Sequence, residues 1–279
     1  MQYTSTKICT WQMRSIAPLI LVILVGITLP CDAVPKILFQ DNFEGKSALR
    51  QRVIDKTKWM VIPSWKLSNN EDKHKALGKK VLDIWGHGVG VSVDDFPEEY
   101  DYYADFKAMN GSEARFAFHV QEDEHGGHPV LFAFNGIYNY YSVSIAMKGA
   151  RYWSQKIGWA CKLARNNGWK IFTTPFADRR DRQPDIWYRV KIEVRAGHKF
   201  YAYLGEVGAA PEEMVFVGTW TDAKKRFAHG KIGFSMTGDV KWGKGTRAQF
   251  DNIVVTTPNF YAVAPKDKLT ATWGELKQK

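Results

Sequence analysis

Strict alternation of apolar and polar residues is the feature of this sequence that most constrains its fold. The segments 113–121 (EARFAFHVQ) and 186–195 (IWYRVKIEVR) carry an apolar residue at nearly every second position, and 140–147 and 198–204 follow the same pattern. Successive side chains of a strand point to opposite faces, so this period indicates half-buried strands of antiparallel sheets. Further strands are predicted at 37–43, 58–66, 80–85, 100–108, 129–135, 168–174, 214–220, 231–236 and 247–257.

The spacing of these strands predicts the architecture. Many short strands separated by turn residues are typical of an all-β sandwich or barrel. Gly197, in the stretch RAGHK, is predicted to turn a hairpin because glycine tolerates a positive φ. We expect one domain over 34–258 and a polar tail over 259–279 with at most a short helix. Residues 149–185 are basic, rich in tryptophan and poorly alternating, which favours a long insertion between strands.

The first residues of the chain have the pattern of an export signal. Lys7 and Arg14 precede an apolar run over 16–29, which is short for a membrane-spanning helix. The small-residue stretch that ends at Ala33 predicts a signal peptide over 1–33, cleaved after that residue. A lipid-bearing Cys31 is the alternative. We therefore expect a secreted protein, extracellular or periplasmic, without stable membrane insertion after cleavage.

The net charge and the cysteine content indicate which classes of partner to expect. The chain has a net charge of +10 and, after cleavage, one cysteine, Cys161, so no disulfide forms within it. A basic secreted protein is suited to anionic polymers such as acidic polysaccharides, or the charge serves solubility alone. With an export signal, nucleic acid is not an expected partner.

The order of the predicted strands resembles the concanavalin A-like, or laminin G-like, jelly rolls. The likeness covers residues 37–257 and is nearest to secreted bacterial domains described as 3-keto-disaccharide hydrolase-like or family-16-glycosidase-like. It implies a two-sheet antiparallel jelly-roll β-sandwich whose first and last strands pair in one sheet. The segments that carry it are FQDNFEG (39–45), DIWYRVKIEVRAGHKFYAYLGE (185–206), GTWTD (218–222), GKIGFSM (230–236) and AQFDNIVV (248–255).

A metal site is suggested where those terminal strands would meet. Related sandwiches often hold a structural calcium ion there, and calcium takes carboxylate, amide and carbonyl oxygens. Asp41 and Asp251 are the predicted ligands, with Asn42, Glu44 and Asn252 beside them. The alternative is that these side chains accept hydrogen bonds from neighbouring turns.

A carbohydrate-binding face is predicted from the outward residues of four strands. If those strands are adjacent, their side chains form one concave surface that mixes aromatic rings with charges. Sugars stack their C–H faces on tyrosine or tryptophan, and arginine or lysine pairs with uronate or sulfate groups. The alternative is an ordinary solvated sheet face. The predicted residues are Arg115, His119, Tyr140, Ser142, Trp187, Arg189, Lys191, Tyr201 and Tyr203, overhung by Trp153, Trp159 and Trp169 of the insertion.

Catalysis receives less support from the sequence. Family-16-type jelly rolls carry a strand reading E-x-D-x-E or E-x-D-x-x-E, and this chain has no such strand. We therefore predict a carbohydrate-binding module, with a carbohydrate-cleaving enzyme of the same fold as the alternative and an adhesion module as the third possibility. An enzyme would use other groups, such as His119 with Tyr140 or Arg189. QEDEHGGH (121–128) is a weak metal motif, and an exposed hairpin is favoured there.

Overall fold

A computed structural model describes the chain over residues 36–44, 57–62, 65–69, 77–85, 89–109, 112–122, 138–147, 157–162, 169–172, 182–238 and 247–260. In these residues almost every element is a strand, joined by turns and one short 3-10 turn at Pro211–Glu213. The strands are β1 Ile37–Asp41, β2 Trp59–Ile62, β3 Trp65–Asn69, β4 Lys80–Trp85, β5 Val89–Ser92, β6 Tyr100–Ala108, β7 Ser112–Glu122, β8 Tyr138–Ala146, β9 Ile157–Lys162, β10 Trp169–Phe172, β11 Trp187–Arg195, β12 Lys199–Glu206, β13 Val215–Thr221, β14 Lys231–Gly238 and β15 Arg247–Thr256.

The strands form two antiparallel sheets. The eight-stranded sheet has the order β13-β12-β11-β6-β15-β4-β3, with β1 added to β15. The seven-stranded sheet has the order β10-β9-β8-β7-β14-β5-β2. The prediction of an all-β, two-sheet antiparallel jelly-roll sandwich is confirmed. No helix in the described part of the chain is long and apolar enough to cross a membrane.

The first and last strands close the eight-stranded sheet together, as predicted. β1 runs antiparallel to the second half of β15, with Ile37 opposite Thr256 and Asp41 opposite Ile253. The first half of β15 pairs with β4 on the same side. Between the two halves the register shifts, and Asn252 has a positive φ of 48°. The bulge lets one long strand serve two shorter partners.

The core lies between the sheets and is built by the alternating residues of the central strands. Phe116 and Phe118 of β7 face Ile192 of β11 and Phe200 of β12 within one buried cluster. Phe118 and Phe200 meet edge to face at 4.8 Å between ring centroids, a favoured aromatic geometry. The inward half of the predicted alternation is therefore confirmed.

Several predicted elements change in the structure. Within 149–185, β10 confirms the predicted strand at 168–174, whereas β9 was not predicted, and both extend the seven-stranded sheet. Trp159 is fully buried in the main core and Cys161 is buried beside it, so neither belongs to a loop. The predicted strand 58–66 is two strands, and β5 was not predicted. Gly197 turns the β11–β12 hairpin with a φ of 73°, as expected.

Other predictions fall on parts of the chain that the structure does not describe. These are the signal peptide over 1–33, the strand at 129–135 and all but the first two residues of the tail over 259–279. They stay predictions.

Candidate functional site

The predicted binding residues do not share one face. Arg115, Tyr140 and Ser142 lie on β7 and β8 of the seven-stranded sheet, whereas the residues of β11 and β12 belong to the eight-stranded sheet. The prediction of a single surface from four adjacent strands is therefore wrong. Alternation identifies which side of a strand points away from the core, but not the sheet in which the strand lies.

His119 was predicted to point outward and instead lies in the interior. The register of β7 shifts between Phe118 and Gln121, and His119 takes a positive φ of 47°. This bulge turns the imidazole inward, where its Nδ1 is 2.7 Å from the carbonyl oxygen of Phe227. Burial lowers the pKa of His119 to about 4, so the ring is neutral at physiological pH.

Arg115 and Tyr140 form a buried polar group on the outer face of the seven-stranded sheet. Arg115 donates to Glu113 at 3.0 Å and to the hydroxyl of Ser144 at 3.1 Å. Burial raises the pKa of Tyr140 to about 12, against the opposing charge of Arg115. Ser142 is also buried. Because these side chains are largely buried, little of the group can contact a large ligand.

The other five predicted residues lie together on the outer face of the eight-stranded sheet. Trp187, Arg189 and Lys191 belong to β11, and Tyr201 and Tyr203 belong to β12. Trp187 is buried against a small apolar cluster, and Arg189 is buried as well. The remaining three are half-buried. The structure thus brings together five predicted residues, three of which a ligand can reach.

This face carries a row of side chains, which we call the tyrosine–lysine row: the buried Tyr103, and Lys191, Tyr203 and Phe216, which are partly exposed. They occupy neighbouring positions on β6, β11, β12 and β13. The Nζ of Lys191 is 5.7 Å from the ring centroid of Tyr103 and 5.3 Å from that of Tyr203. Tyr203 and Phe216 meet edge to face at 5.6 Å, and Phe216 is 39% exposed. Cation–π contact on both sides holds the lysine stem between two rings.

A charged row runs beside it. Asp101 of β6 lies directly opposite Glu193 of β11. Arg195 is 2.6 Å from Asp101 and 3.2 Å from Glu193, and Lys191 is 2.5 Å from Glu193. Burial raises the pKa of Asp101, while Lys191 and Arg195 act against that rise. Two carboxylates and two cations thus balance each other on this face.

A third row anchors β6 to β11. Arg189 donates through Nε and Nη2 to the two carboxylate oxygens of Asp105, at 2.6 and 2.8 Å. Asn252 donates to the same carboxylate at 2.7 Å. The pair is buried, and a two-pronged arginine–carboxylate contact has a fixed geometry. Arg189 is therefore placed to hold the strands and not to bind a ligand directly.

The carboxylates that were predicted to bind calcium are surrounded by N–H donors. Asp41 accepts the indole N–H of Trp59 at 2.7 Å and the amide of Phe43 at 2.9 Å. Asp251 accepts the amides of Gly78 at 3.1 Å and Asn252 at 2.7 Å. Among the described residues, no group of three or more His, Cys, Asp or Glu side chains is arranged to hold a metal. Carboxylates whose oxygens already accept N–H hydrogen bonds do not fit calcium. Calcium binding stays a prediction that rests on the resemblance alone.

The sequence reasoning missed the acidic residues of β6. In YDYYADFK, Asp101, Tyr103, Asp105 and Lys107 recur at every second position, and that period would have placed them on one face. That period does not show that β6 lies next to β11. The motif QEDEHGGH falls almost entirely outside the described residues, as does the Trp153 side chain, and no side-chain placement is described for Trp169.

Solved structures of other proteins resemble this chain in fold. A Bacillus subtilis protein of unknown function with a galectin-like fold matches with a TM-score of 0.50 and 15% identity, over 79% of this chain and 96% of that one. The fold of this chain is a two-sheet jelly roll. A winged bean acidic lectin complexed with methyl-α-D-galactose matches at 0.49 and 10% identity, over 80% of this chain and 98% of the lectin.

A carbohydrate-binding module from Bacillus subtilis matches at a TM-score of 0.43 and 13% identity, over 71% of this chain and 95% of the module. At 15% identity, the match to the galectin-like protein shows the fold alone. No protein-family model matches the sequence. No curated protein matches it either.

Proposed function

We propose that this protein is a secreted module that binds carbohydrate on the outer face of its eight-stranded sheet, along the tyrosine–lysine row. One observation carries the proposal. Lys191 is held between the rings of Tyr103 and Tyr203, and the row continues to a Phe216 ring that is 39% exposed. The partly exposed rings of Tyr203 and Phe216 offer apolar faces to sugar C–H groups at little cost in conformational entropy, and the buried Tyr103 ring holds Lys191 beside them.

The charges beside the row favour a neutral carbohydrate. Lys191 and Arg195 are matched by Asp101 and Glu193, so the net charge of the four is zero. Glu193 and the two cations can accept and donate hydrogen bonds to hydroxyl groups without attracting a charged polymer, while Asp101 balances their charge from a buried position. These four residues therefore contribute nothing to the overall charge of +10. An anionic polysaccharide is the alternative ligand.

Cleavage of a sugar is the second candidate, and the Asp101–Glu193 pair is the observation that favours it. Hydrolysis by two carboxyl groups requires one of them to stay protonated, and burial raises the pKa of Asp101 in that direction. However, Asp101 is 1% exposed and lies 2.6 Å from Arg195. A glycosidic oxygen cannot reach a carboxyl group that is covered and ion-paired, so binding is favoured over cleavage.

The test is a binding screen of the full chain against neutral and anionic polysaccharides, with release of reducing sugar assayed in the same wells. We expect binding to neutral polymers without release. Tyr203→Ala should lower the affinity about tenfold or more, because a well-placed stacking ring contributes on the order of 1.4 kcal/mol. Ile186→Ala, which truncates an exposed apolar side chain before β11, is the matched control and should bind normally.

Three outcomes would count against the proposal. If the Tyr203→Ala variant binds with the affinity of the wild type, the tyrosine–lysine row is not part of the binding site. Binding only to anionic polymers, lost at high salt, would show that the overall charge and not the row selects the ligand. Release of sugar that stops in an Asp101→Asn variant would make the protein an enzyme.

A further inference from the structure

Strand β13 forms one edge of the eight-stranded sheet in the part of the chain that the structure describes. Within the described part of the chain, β12 is the single strand partner of β13. Its sequence, VFVGTWT, contains no charged residue and no proline, and Val215 and Phe216 are 41% and 39% exposed. Edge strands usually carry charges, proline, a β-bulge or a cover that prevents pairing with another chain. β13 has a bulge where its register against β12 shifts between Gly218 and Phe216, but its residues from Gly218 to Thr221 pair regularly with β12 and carry no charge, so this part of the edge can accept a partner strand.

The residues at the two ends of β13 indicate which partner. Glu212 and Glu213 are exposed just before the strand, and Lys224 and Lys225 are exposed just after it. When the strand pairs antiparallel with a second copy of itself, the acidic end of each copy lies beside the basic end of the other. A two-fold axis makes this match occur twice. Parallel pairing would instead set like charges together, which is unfavourable.

We propose that two copies of this chain associate through β13, in antiparallel pairing across a two-fold axis, so that their eight-stranded sheets become continuous. The net charge of +10 on each copy opposes association. At physiological ionic strength, charges more than about 8 Å apart are largely screened, so the nearby Glu–Lys pairs outweigh the distant repulsion. The inference does not depend on carbohydrate binding, because neither Glu212 nor Lys224 lies in the tyrosine–lysine row.

The first test is the oligomeric state of the full chain, measured by sedimentation velocity over a wide range of concentrations. We expect a reversible monomer–dimer equilibrium. Val215→Lys places a charge on the edge and should raise the dimer dissociation constant about tenfold or more, equivalent to about 1.4 kcal/mol. Far-ultraviolet circular dichroism checks that the variant is folded, which is expected because Val215 is exposed.

The second test uses charge reversal at the two ends of the strand. Glu212→Lys and Lys224→Glu should each weaken the homodimer, because each sets like charges together. A mixture of the two variants should form a heterodimer, since every contact is then between opposite charges. Glu206→Lys, which changes the net charge as Glu212→Lys does at an exposed position of β12, should dimerise as the wild type does.

The proposal is overturned by a protein that stays monomeric at every concentration. It is also overturned if dimers form but neither the Val215 variant nor the charge reversals weaken them. In contrast, a Tyr203→Ala variant that loses carbohydrate and still dimerises is the expected result, because Tyr203 lies on β12 and the two surfaces share only Phe216.

Discussion

Acid should destabilise this protein through His119, and the structure gives the size of the effect. His119 and His198 both contact the carbonyl oxygen of Phe227, at 2.7 Å from Nδ1 and 3.1 Å from Nε2. To donate to that oxygen, each ring holds its proton on the nitrogen that faces it. Among the described residues, the other nitrogen of each ring has no hydrogen-bond partner and is buried. A second proton on the His119 ring would have no acceptor.

The sign and magnitude follow from the two protonation states. In the folded protein burial lowers the pKa of His119 from 6.5 to about 4. The unfolded chain therefore takes up a proton first as the pH falls, and the free energy of unfolding decreases between the two pKa values. At about 1.4 kcal/mol per pH unit, the loss attributable to His119 is about 2 kcal/mol between pH 7 and pH 5, and about 3 kcal/mol below pH 4.

His119→Asn is the informative variant. Asparagine tolerates the positive φ of 47°, and its amide can donate to the same carbonyl oxygen, but it does not titrate. We expect a constant loss of about 1–3 kcal/mol from the missing ring. On top of that loss, the pH dependence should be smaller by about 2 kcal/mol between pH 7 and pH 5 than in the wild type.

The assay is urea unfolding, followed by tryptophan fluorescence at pH 7, 6 and 5. Ile186→Ala, which changes an exposed residue that does not titrate, is the control and should keep the wild-type dependence on pH. If His119→Asn and the wild type lose the same free energy between pH 7 and pH 5, the reasoning from the buried ring is refuted. A wild type whose stability does not change over this interval would refute it as directly.

Three further predictions concern stability. Arg189→Met should cost about 3–5 kcal/mol because it leaves the buried Asp105 unpaired, and Arg189→Met with Asp105→Leu should cost less than the sum of the single changes in urea unfolding. Gly230→Ala should cost more than about 2 kcal/mol, because its φ is 144° and its Cβ would lie 2.6 Å from a backbone oxygen, whereas Gly197→Ala, with open space around it, should cost about 1 kcal/mol. Calcium added after a chelator should leave the melting temperature unchanged, because N–H donors already occupy the oxygens of Asp41; a rise with excess calcium would show that a site exists.

Local chemistry explains how much of the fold the sequence could predict. The alternation in β7 and β11 marks one apolar side on each strand, and those sides do build the core. The turn at Gly197 follows from its conformational freedom, and the pairing of β1 with β15 follows from the resemblance. Each of these features depends on a few consecutive residues or on the order of segments, which a sequence displays directly.

The candidate site was only partly predictable, because it depends on which strands are neighbours. Tyr203 and Lys191 share a hairpin, and the sequence placed them together. Arg115 has a similar outward position in its own strand, yet it lies in the other sheet. The prediction for His119 is wrong for a different reason. A single extra residue in β7 reverses the direction of the His119 side chain. The segment EARFAFHVQ contains no feature that predicts this bulge.

The buried ion pair connects the specificity of the fold to the proposed site. Arg189 lies directly opposite Asp105, and two residues along the same strands Lys191 lies opposite Tyr103. A slip of one residue would turn Arg189 toward Phe106 or Ala104, inside the core, and would also separate the lysine from its two rings. Because an unpaired charge in the core is costly, the pair selects one register of β6 against β11. We infer that loss of the Arg189–Asp105 pair weakens carbohydrate binding through misplacement of Lys191, even though neither residue touches the ligand. The double variant Arg189→Met with Asp105→Leu tests this, since it can remain folded while its affinity falls; unchanged affinity would show that the register is fixed by the hydrophobic core alone.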